Sequence, residues 1–193
     1  MTLTRLPQSF FARSALDVAR DLIGCTFLFE GVGGRIVETE AYRQDDRPCH
    51  GYRGKTARNQ VLFGPPGHLY VYFTYGMHFC SNVVCEAEGV AAGVLLRAIE
   101  PREGIERMAE RRGLGEPRLL CSGPARLAQA LAIGREQNGL PVWLPPLRFA
   151  HRERGDEPRV VATPRIGVGD DVKPWRFVDA GSAFLSRRLP RSL

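Results

Sequence analysis

The sequence predicts one mixed α/β (α+β) domain spanning residues 1–193, and three observations support this prediction. The chain has 193 residues, of which 44% are hydrophobic and 25% are charged, a composition typical of a globular domain. A chain of this length buries about 70% of the surface that its unfolded form would expose, so it can fold without disulfides or a structural metal. Helix-like and strand-like segments are mixed along the whole chain, without an internal repeat or a linker.

The first elements predicted are a helix and a pair of strands. Apolar residues recur at helical spacing from Ala15 to Ile23. Ser14 stands in the N-cap position, and Gly24 marks the end of the helix. Two segments rich in β-branched and aromatic residues follow, at 25–30 and 34–42, and the glycines between them favour a β-hairpin.

A long loop and three strands form the predicted middle of the chain. Residues 45–67 are polar and then rich in proline and glycine, which is typical of a loop. Long loops in compact domains are usually functional. Three strand-like runs follow, at 69–75, 79–85 and 94–100. Pro101 is then expected to open an amphipathic helix that runs through Arg112.

The last part of the chain predicts one more helix and two short strands. Ser122-Gly-Pro opens the helix, whose Leu127, Ala130 and Leu131 are expected to face inward. The strands are predicted at 159–162 and 175–178.

Several classes of protein are disfavoured by composition and motifs. Five cysteines, an odd number without a Cys-x-x-Cys pair, argue against a secreted disulfide framework and favour the cytoplasm. No segment approaches the roughly 20 apolar residues that a membrane span requires. Phosphate-binding glycine loops, the Gly-x-Ser-x-Gly elbow and recognised zinc spacings are absent from the sequence, so no metal is expected.

The aromatic and basic residues of the middle segment form the most informative pattern. All five tyrosines lie between Tyr42 and Tyr75, and no acidic residue occurs between Asp46 and Glu86. Cations bind phosphates, and flat rings stack on unpaired bases, so the segment suits a nucleic acid. The alternative is an ordinary strand, in which tyrosine is enriched anyway, and composition leaves both interpretations open. The cations of the loop are Arg47, Arg53, Lys55 and Arg58.

Two carboxylates are candidates for a general base. Glu38 and Glu40 are two residues apart on one predicted strand, so both should point to the same face. A partly buried carboxylate beside aromatic rings is suited to that role, but the local sequence does not separate the two. Arg97 and Glu100 are expected to form an ordinary surface pair. With Lys55 and Lys173 as the only lysines, imine chemistry is disfavoured.

A series of motifs resembles the alkyladenine (3-methyladenine) DNA glycosylase family, from the first helix to near the C-terminus. The motifs occur in the family's order: GRIVETEAY (34–42), RGKTARN (53–59), GHLYVYFTYGM (67–77), FCSN (79–82), VLLRAIEP (94–101), SGPARL (122–127), NG (138–139) and PRIGV (164–168). The resemblance implies a curved, mainly antiparallel sheet with flanking helices and a protruding β-hairpin, similar to the formyltransferase C-terminal domain.

The resemblance also implies an activity. Members of the family are monofunctional base excision repair enzymes that flip damaged purines out of duplex DNA and hydrolyse the N-glycosidic bond. They leave an abasic site and need no cofactor. The chain is accordingly expected to be a monomer without a membrane anchor, located in the cytoplasm and associated with the nucleoid if the source is bacterial. Its expected substrates are alkylated purines, with ethenoadenine and hypoxanthine as further candidates.

The resemblance implies catalytic roles for three positions of this sequence and a base-binding role for a fourth, Tyr42. Glu40 matches the general base that activates water. Arg97 and the main-chain carbonyl of Ile166 match the groups that hold this water. Tyr42 would stack on one face of the flipped base.

The remaining roles concern the base and the DNA. His50 and Tyr72 would pack on the other face of the base, and Asn82 would clash with the 2-amino group of guanine. Tyr75 matches the wedge that enters the minor groove. The loop from Tyr42 to His50 is about one residue shorter than in some members, and residues 170–174 are compact, which bears on lesion range. The residues expected to contact the DNA backbone are Arg53, Lys55 and Arg58.

Two other classes of function are alternatives. The first is a nucleic-acid-binding module without catalysis, against which Glu40, Arg97 and Asn82 speak because a binder needs none of them. The second is a carbohydrate hydrolase that uses Glu38 and Glu40. Side by side on one strand, these two leave little room for a sugar between them.

Overall fold

The computed structural model describes residues 4–153 and 155–189, and eight strands of this part form one antiparallel sheet. The strands are β1 (Thr26–Phe29), β2 (Val32–Arg43), β3 (Leu69–Thr74), β4 (His78–Val84), β5 (Ala92–Glu103), β6 (Leu147–Ala150), β7 (Val160–Thr163) and β8 (Arg176–Asp179). The helices are α1 (Gln8–Phe11), α2 (Ala15–Asp21), α3 (Ile105–Arg112), α4 (Pro117–Leu120) and α5 (Pro124–Leu131). Two short 3₁₀ helices lie at Gln60–Phe63 and Arg135–Gln137.

The sheet is organised around β2. Its strand order is β3-β4-β5-β2-β1-β6, and β8 pairs with both β2 and β7. On the side away from β5, β2 pairs first with β1 and then, from Glu38 onward, with β8. The antiparallel sheet is curled. The predicted mixed fold with a curved, mainly antiparallel sheet is therefore confirmed.

Backbone geometry explains why the β1–β2 hairpin and its junction with β5 form. The turn residues Glu30 and Gly31 both have positive φ, 51° and 74°, as a tight turn between twisted strands requires. A Cβ at Gly34 would lie 1.9 Å from the carbonyl oxygen of Glu100, so only glycine allows β2 to approach β5 this closely.

The pairing of β2 with β5 shifts register at three places, and two of these β-bulges adjoin Glu38. Ile36 pairs with Ile99 and Glu38 with Ala98, which leaves Val37 without a partner on β5. Glu38 and Thr39 then pair with Ala98 and Leu96, which leaves Arg97 without a partner on β2. Bulges bend a strand and redirect its side chains, and here they lie where Glu38, Glu40 and Arg97 meet.

The predicted helix opening at Pro101 is wrong. Strand β5 continues through Pro101 to Glu103, and α3 begins only at Ile105, after Gly104 with φ 68°. Pro101 pairs with Gly34, next to a shift in register between Gly33 and Gly34. A strand tolerates a residue without an N–H at such an irregularity, so the helix-opening signal was overridden by pairing with β2.

The other predicted elements are present, with boundaries shifted by a few residues. Ser14 caps α2, accepting a hydrogen bond from the Leu16 N–H at 3.3 Å. The elements that were not predicted are α1, α4, β6 and the two 3₁₀ helices. Each has three or four residues, too few to show a period. All five cysteines are buried and free. Within the described ranges, no helix is long and apolar enough to cross a membrane.

Candidate active site

A cavity of about 640 Å³ opens between the end of β2, the β3–β4 hairpin and the loop at 166–168. This volume lies in the usual range of small-molecule sites. The residues predicted from the sequence that line it are Tyr42, His50, Tyr72, Tyr75, Asn82, Arg97 and Ile166. Residues far apart in the chain therefore meet at one place.

Glu40 lies directly behind the wall of this cavity. Its Oε2 accepts hydrogen bonds from the Tyr42 hydroxyl at 2.8 Å and from Arg97 Nη1 at 3.2 Å. Its Oε1 accepts one from the Ile166 N–H at 2.7 Å. The Glu40 side chain has no exposed surface, but all three of its partners line the cavity. Ile166 thus contacts Glu40 through its N–H, whereas the resemblance assigned a role to its main-chain carbonyl.

Glu38 is bound by the protein on every side. Its Oε1 accepts from Arg176 Nε at 2.7 Å, Arg97 Nε at 3.0 Å and the Ser186 hydroxyl at 2.7 Å. Its Oε2 accepts from the Ser186 N–H at 2.6 Å. Burial opposes ionisation of Glu38, but the attraction of Arg176 and Arg97 outweighs burial and lowers its pKa. The structure therefore separates two carboxylates that the local sequence could not.

Arg97 is not the surface residue that its spacing from Glu100 suggested. It is buried and bridges Glu38 and Glu40, while Glu100 pairs with Arg102 at 3.4 Å. Residues three apart on a strand point to opposite faces, which is why the expected pair does not form. Burial alone would lower the pKa of Arg97, but the two carboxylates raise it, so Arg97 stays charged.

Aromatic rings form the walls of the cavity. His50 and Tyr72 meet with ring centroids 4.4 Å apart and planes at 75°, and His50 Nδ1 lies 3.0 Å from the Tyr70 hydroxyl. Burial, with a smaller effect of Arg58, lowers the pKa of His50, so the imidazole is neutral at pH 7. Burial and the Glu40 carboxylate raise the pKa of Tyr42, so its hydroxyl remains a donor.

Asn82 is held rigidly in the wall. It pairs across the hairpin with Tyr70, and its side-chain Nδ2 donates to the Tyr70 carbonyl at 3.2 Å. The side chain is buried, so it cannot rotate without losing this hydrogen bond.

The tip of the β3–β4 hairpin presents Tyr75 to solvent. Its side chain is 88% exposed while still lining the rim of the cavity. Tyr75 and Gly76 have φ values of 50° and 67°, and the left-handed backbone at Tyr75 is unusual for a residue with a side chain. Such strain is typical of functional positions.

The three cations predicted to contact DNA lie in the loop before this hairpin. Arg53 and Lys55 are exposed, and Lys55 lines a second, smaller cavity of about 310 Å³. Arg58 is exposed too, but its Nη2 donates to the Phe73 carbonyl at 3.0 Å, so it also braces the hairpin. The side chain of Asn59 orders the loop by donating to the carbonyls of His50 and Gly54.

Sequence reasoning missed three kinds of residue at the site. Arg165, beside Ile166, is buried against Tyr42, although only Ile166 was assigned a role in the PRIGV motif. Ser186 was missed because nothing in the sequence connects it to Glu38. Cys49 and Cys80 line the cavity, and burial raises the pKa of both thiols, which keeps them uncharged.

The basic loop did indicate a functional segment, but Arg47 at the cavity was treated only as one cation among four.

Fold and site together fit one class of protein, a hydrolase that acts on a bond next to a flat base. A buried carboxylate stands behind a cavity with aromatic walls, and an exposed tyrosine at a hairpin tip borders the same cavity. Comparison with known proteins narrows this class.

The comparisons agree over nearly the whole chain. A family model described as methylpurine-DNA glycosylase (MPG) matches residues 9–183. Relatives carrying the name "Putative 3-methyladenine DNA glycosylase" include one from Rhodopseudomonas palustris (strain HaA2), 56% identical over 182 residues, which are 94% of this chain and 90% of the relative. Another, from Nitrosospira multiformis, is 54% identical over 183 residues, 94% of this chain and 93% of the relative. The chain belongs to the methylpurine-DNA glycosylase family, which confirms the resemblance found in the sequence.

Proposed function

We propose that this DNA glycosylase removes alkylated purines from duplex DNA by hydrolysis, with Glu40 as the general base. The observation that carries the proposal is the position of Glu40 directly behind the aromatic cavity, bound by three residues that line it. The name of the family and the names of the relatives support an alkylated purine as the substrate.

The base must leave the helical stack before it can enter the cavity. Extrusion costs a few kcal/mol, and a side chain that fills the vacated space offsets part of this cost. Tyr75 is suited to that role because it is exposed at the end of a hairpin and borders the cavity. The cations Arg53 and Lys55 are exposed, as contact with DNA phosphates requires.

A purine alkylated at N3 or N7 carries a positive charge, which suits the cavity. Electron-rich rings attract cations, and Tyr42 and Tyr72 provide such rings. His50 is neutral at pH 7 and adds no repulsion. Asn82 lines the cavity and is held by its hydrogen bond to Tyr70, which supports the role of excluding the 2-amino group of guanine and so favouring adenine derivatives.

In the hydrolytic step, a water oxygen bonds to C1′ of the sugar while the bond from C1′ to the purine nitrogen breaks. The electron pair of the broken bond goes to the base, so a cationic purine leaves neutral. Glu40 takes the proton of the water, and its negative charge stabilises the oxocarbenium-like sugar. Glu40 has no exposed surface in the structure, so its contact with Tyr42, Arg97 or Ile166 must open to admit the water.

Neutral lesions would need a proton donor to the leaving base. Burial raises the pKa of Tyr70 to about 12 and also raises that of Tyr72, so both hydroxyls are poor acids. The neutral His50 is no better at pH 7. We therefore expect cationic alkylpurines to be released faster than hypoxanthine or ethenoadenine.

The test is a single-turnover assay on duplexes that carry one lesion each. Methylated DNA, a hypoxanthine duplex and an ethenoadenine duplex serve as substrates, with the undamaged duplex and the Glu40→Gln variant as controls. The proposal is supported if the wild type releases methylated purines and the Glu40→Gln variant does not. Release of no base from any duplex would overturn it.

The alternative carbohydrate hydrolase is disfavoured by the environment of Glu38. All of its acceptor capacity is directed to Arg97, Arg176 and Ser186, and it does not line the cavity. Family membership likewise disfavours a binding module without catalysis.

Replacing Tyr75 by alanine is expected to weaken binding to a lesion duplex by about tenfold, since stacking contributes about 1–3 kcal/mol per base. Thermal stability should stay unchanged because the side chain is exposed. Fluorescence of ethenoadenine in the duplex reports the flipped fraction. Tyr75→Phe, which keeps the ring, is the matched control; equal flipping by Tyr75→Ala and the wild type would contradict the wedge.

Replacing Asn82 by alanine is expected to raise excision of guanine derivatives relative to adenine derivatives. The change removes the amide that faces the 2-amino group and also a hydrogen bond to Tyr70 worth about 1 kcal/mol. The measured quantity is the ratio of the two excision rates, in which any general loss of folding cancels. An unchanged ratio would show that Asn82 does not select the base.

A further inference from the structure

Arg165 is a fully buried arginine for which the proposed mechanism has no use. Its guanidinium binds Asp46 twice, through Nη1 to Oδ2 at 2.6 Å and Nη2 to Oδ1 at 3.0 Å. Both side chains have no exposed surface. Asp46 lies in the loop that leads from Tyr42 to His50, so this ion pair joins the loop to the segment of Ile166.

The same guanidinium lies between two aromatic rings. Its central carbon is 4.7 Å from the ring centroid of Tyr42 and 5.0 Å from that of Trp175. Arginine packs well on aromatic faces because its guanidinium is planar and only weakly hydrated. With Arg165 against one face of Tyr42, the opposite face is left to receive a base.

Arg165 also binds the backbone next to Glu40. Its Nη1 donates to the Ala41 carbonyl at 2.9 Å, and Ala41 joins Glu40 to Tyr42. The neighbouring residue, Ile166, donates its N–H to Glu40. One side chain therefore fixes both segments that hold Glu40 and the ring that would carry the base.

The charges around Arg165 are balanced. Lys173 Nζ binds Asp46 at 2.6 Å and Asp171 at 3.1 Å, and Asp171 also lies 3.2 Å from Arg165. Two cations and two carboxylates thus form a closed group beside the cavity. A cation placed behind Tyr42 without this compensation would repel a cationic base on its other face.

We propose that Arg165, held by Asp46, is a positioning residue that sets the ring of Tyr42 against the base and the amide of Ile166 against Glu40. This inference rests on the proposed function, since it concerns the same hydrolytic step. Arg165 acts through its neighbours and touches neither the base nor the water.

The experiment compares Arg165→Lys and Asp46→Asn with Arg35→Lys. Arg35 is the matched control because it is also buried and paired, with Asp179 at 2.7 Å and Asp156 at 3.0 Å, but does not line the cavity. Three quantities are measured for each variant. They are the melting temperature, the single-turnover rate at saturating enzyme on methylated DNA, and the quenching of ethenoadenine fluorescence when the base stacks on Tyr42.

We expect Arg165→Lys to lower the rate at saturating enzyme by about 100-fold, because misplacing a reacting group by 1 Å can cost that much. Asp46→Asn should act in the same direction, and stacking on Tyr42 should decrease in both. Arg35→Lys should lower the melting temperature to a similar extent while leaving rate and quenching unchanged. Because Asp46→Asn preserves volume, it carries the test if Arg165→Lys does not fold.

Two failures can be told apart. If Arg165→Lys and Asp46→Asn lose no more rate and no more quenching than Arg35→Lys, Arg165 only stabilises the fold and the inference is wrong. If the wild type itself releases no base, the proposed function fails instead.

Discussion

Glu40→Gln is expected to lower the rate of base release by about 10³-fold, within the range that general-base catalysis contributes. Glutamine keeps the volume of the side chain, and its single carbonyl oxygen can replace one of the two carboxylate oxygens as an acceptor, either for the Ile166 N–H or for Tyr42 and Arg97. It cannot take the proton of the attacking water. It also removes the negative charge beside the developing oxocarbenium ion. The measurement is the single-turnover rate on methylated duplex DNA.

Binding and flipping should survive this substitution. The rings of the cavity and the exposed Tyr75 are unchanged in Glu40→Gln, so ethenoadenine fluorescence should report the same flipped fraction as in the wild type. Retention of the wild-type rate would assign the chemistry to another group. Loss of binding together with rate would indicate damage to the site rather than to the chemical step.

Glu38→Gln is expected to lower the free energy of unfolding by about 3–5 kcal/mol, the cost of removing one partner from a buried ion pair. Arg97 and Arg176 share this carboxylate, and the Ser186 N–H and hydroxyl also bind it. Unfolding in urea measures the change. Glu100→Gln, which disrupts a partly exposed pair with Arg102, is the control and should change stability by at most about 0.5 kcal/mol.

The effect of Glu38→Gln should depend on pH with a definite sign. Folding lowers the pKa of Glu38 from its usual value of 4.5, because its attraction to the arginines outweighs burial. The carboxylate therefore contributes stability that is present above pH 4.5 and is lost as the pH falls through the folded pKa. The difference in unfolding free energy between wild type and variant should be largest near neutral pH and shrink in acid. A difference independent of pH would contradict this account.

Glu38 and Glu40 illustrate how far local sequence can be taken. Alternation along a strand placed both carboxylates on one face, and both do contact Arg97. What distinguishes their surroundings is partners more than 120 residues later in the chain, Ile166 for Glu40 and Ser186 for Glu38. Spacing within a strand contains no information about such contacts.

The helix wrongly predicted at Pro101 has a similar origin. Proline is favoured at the start of a helix, and a helical period follows it. The strand nevertheless continues because Gly34 lets β2 approach closely at that point. Pairing across the sheet outweighed the local preference.

The sequence by itself determined the class of fold, the family, the aromatic hairpin and seven of the residues that line the cavity. These features follow from composition, from the period of apolar residues and from the order of the motifs. All three can be determined without knowledge of the folded state. Only the tertiary structure decided that Glu38 is saturated by two arginines and Ser186, and that Arg165 lies behind Tyr42. Those assignments depend on which side chains are buried, because a buried charge without a partner is costly. Burial is a property of the whole folded chain, so local sequence does not reveal it.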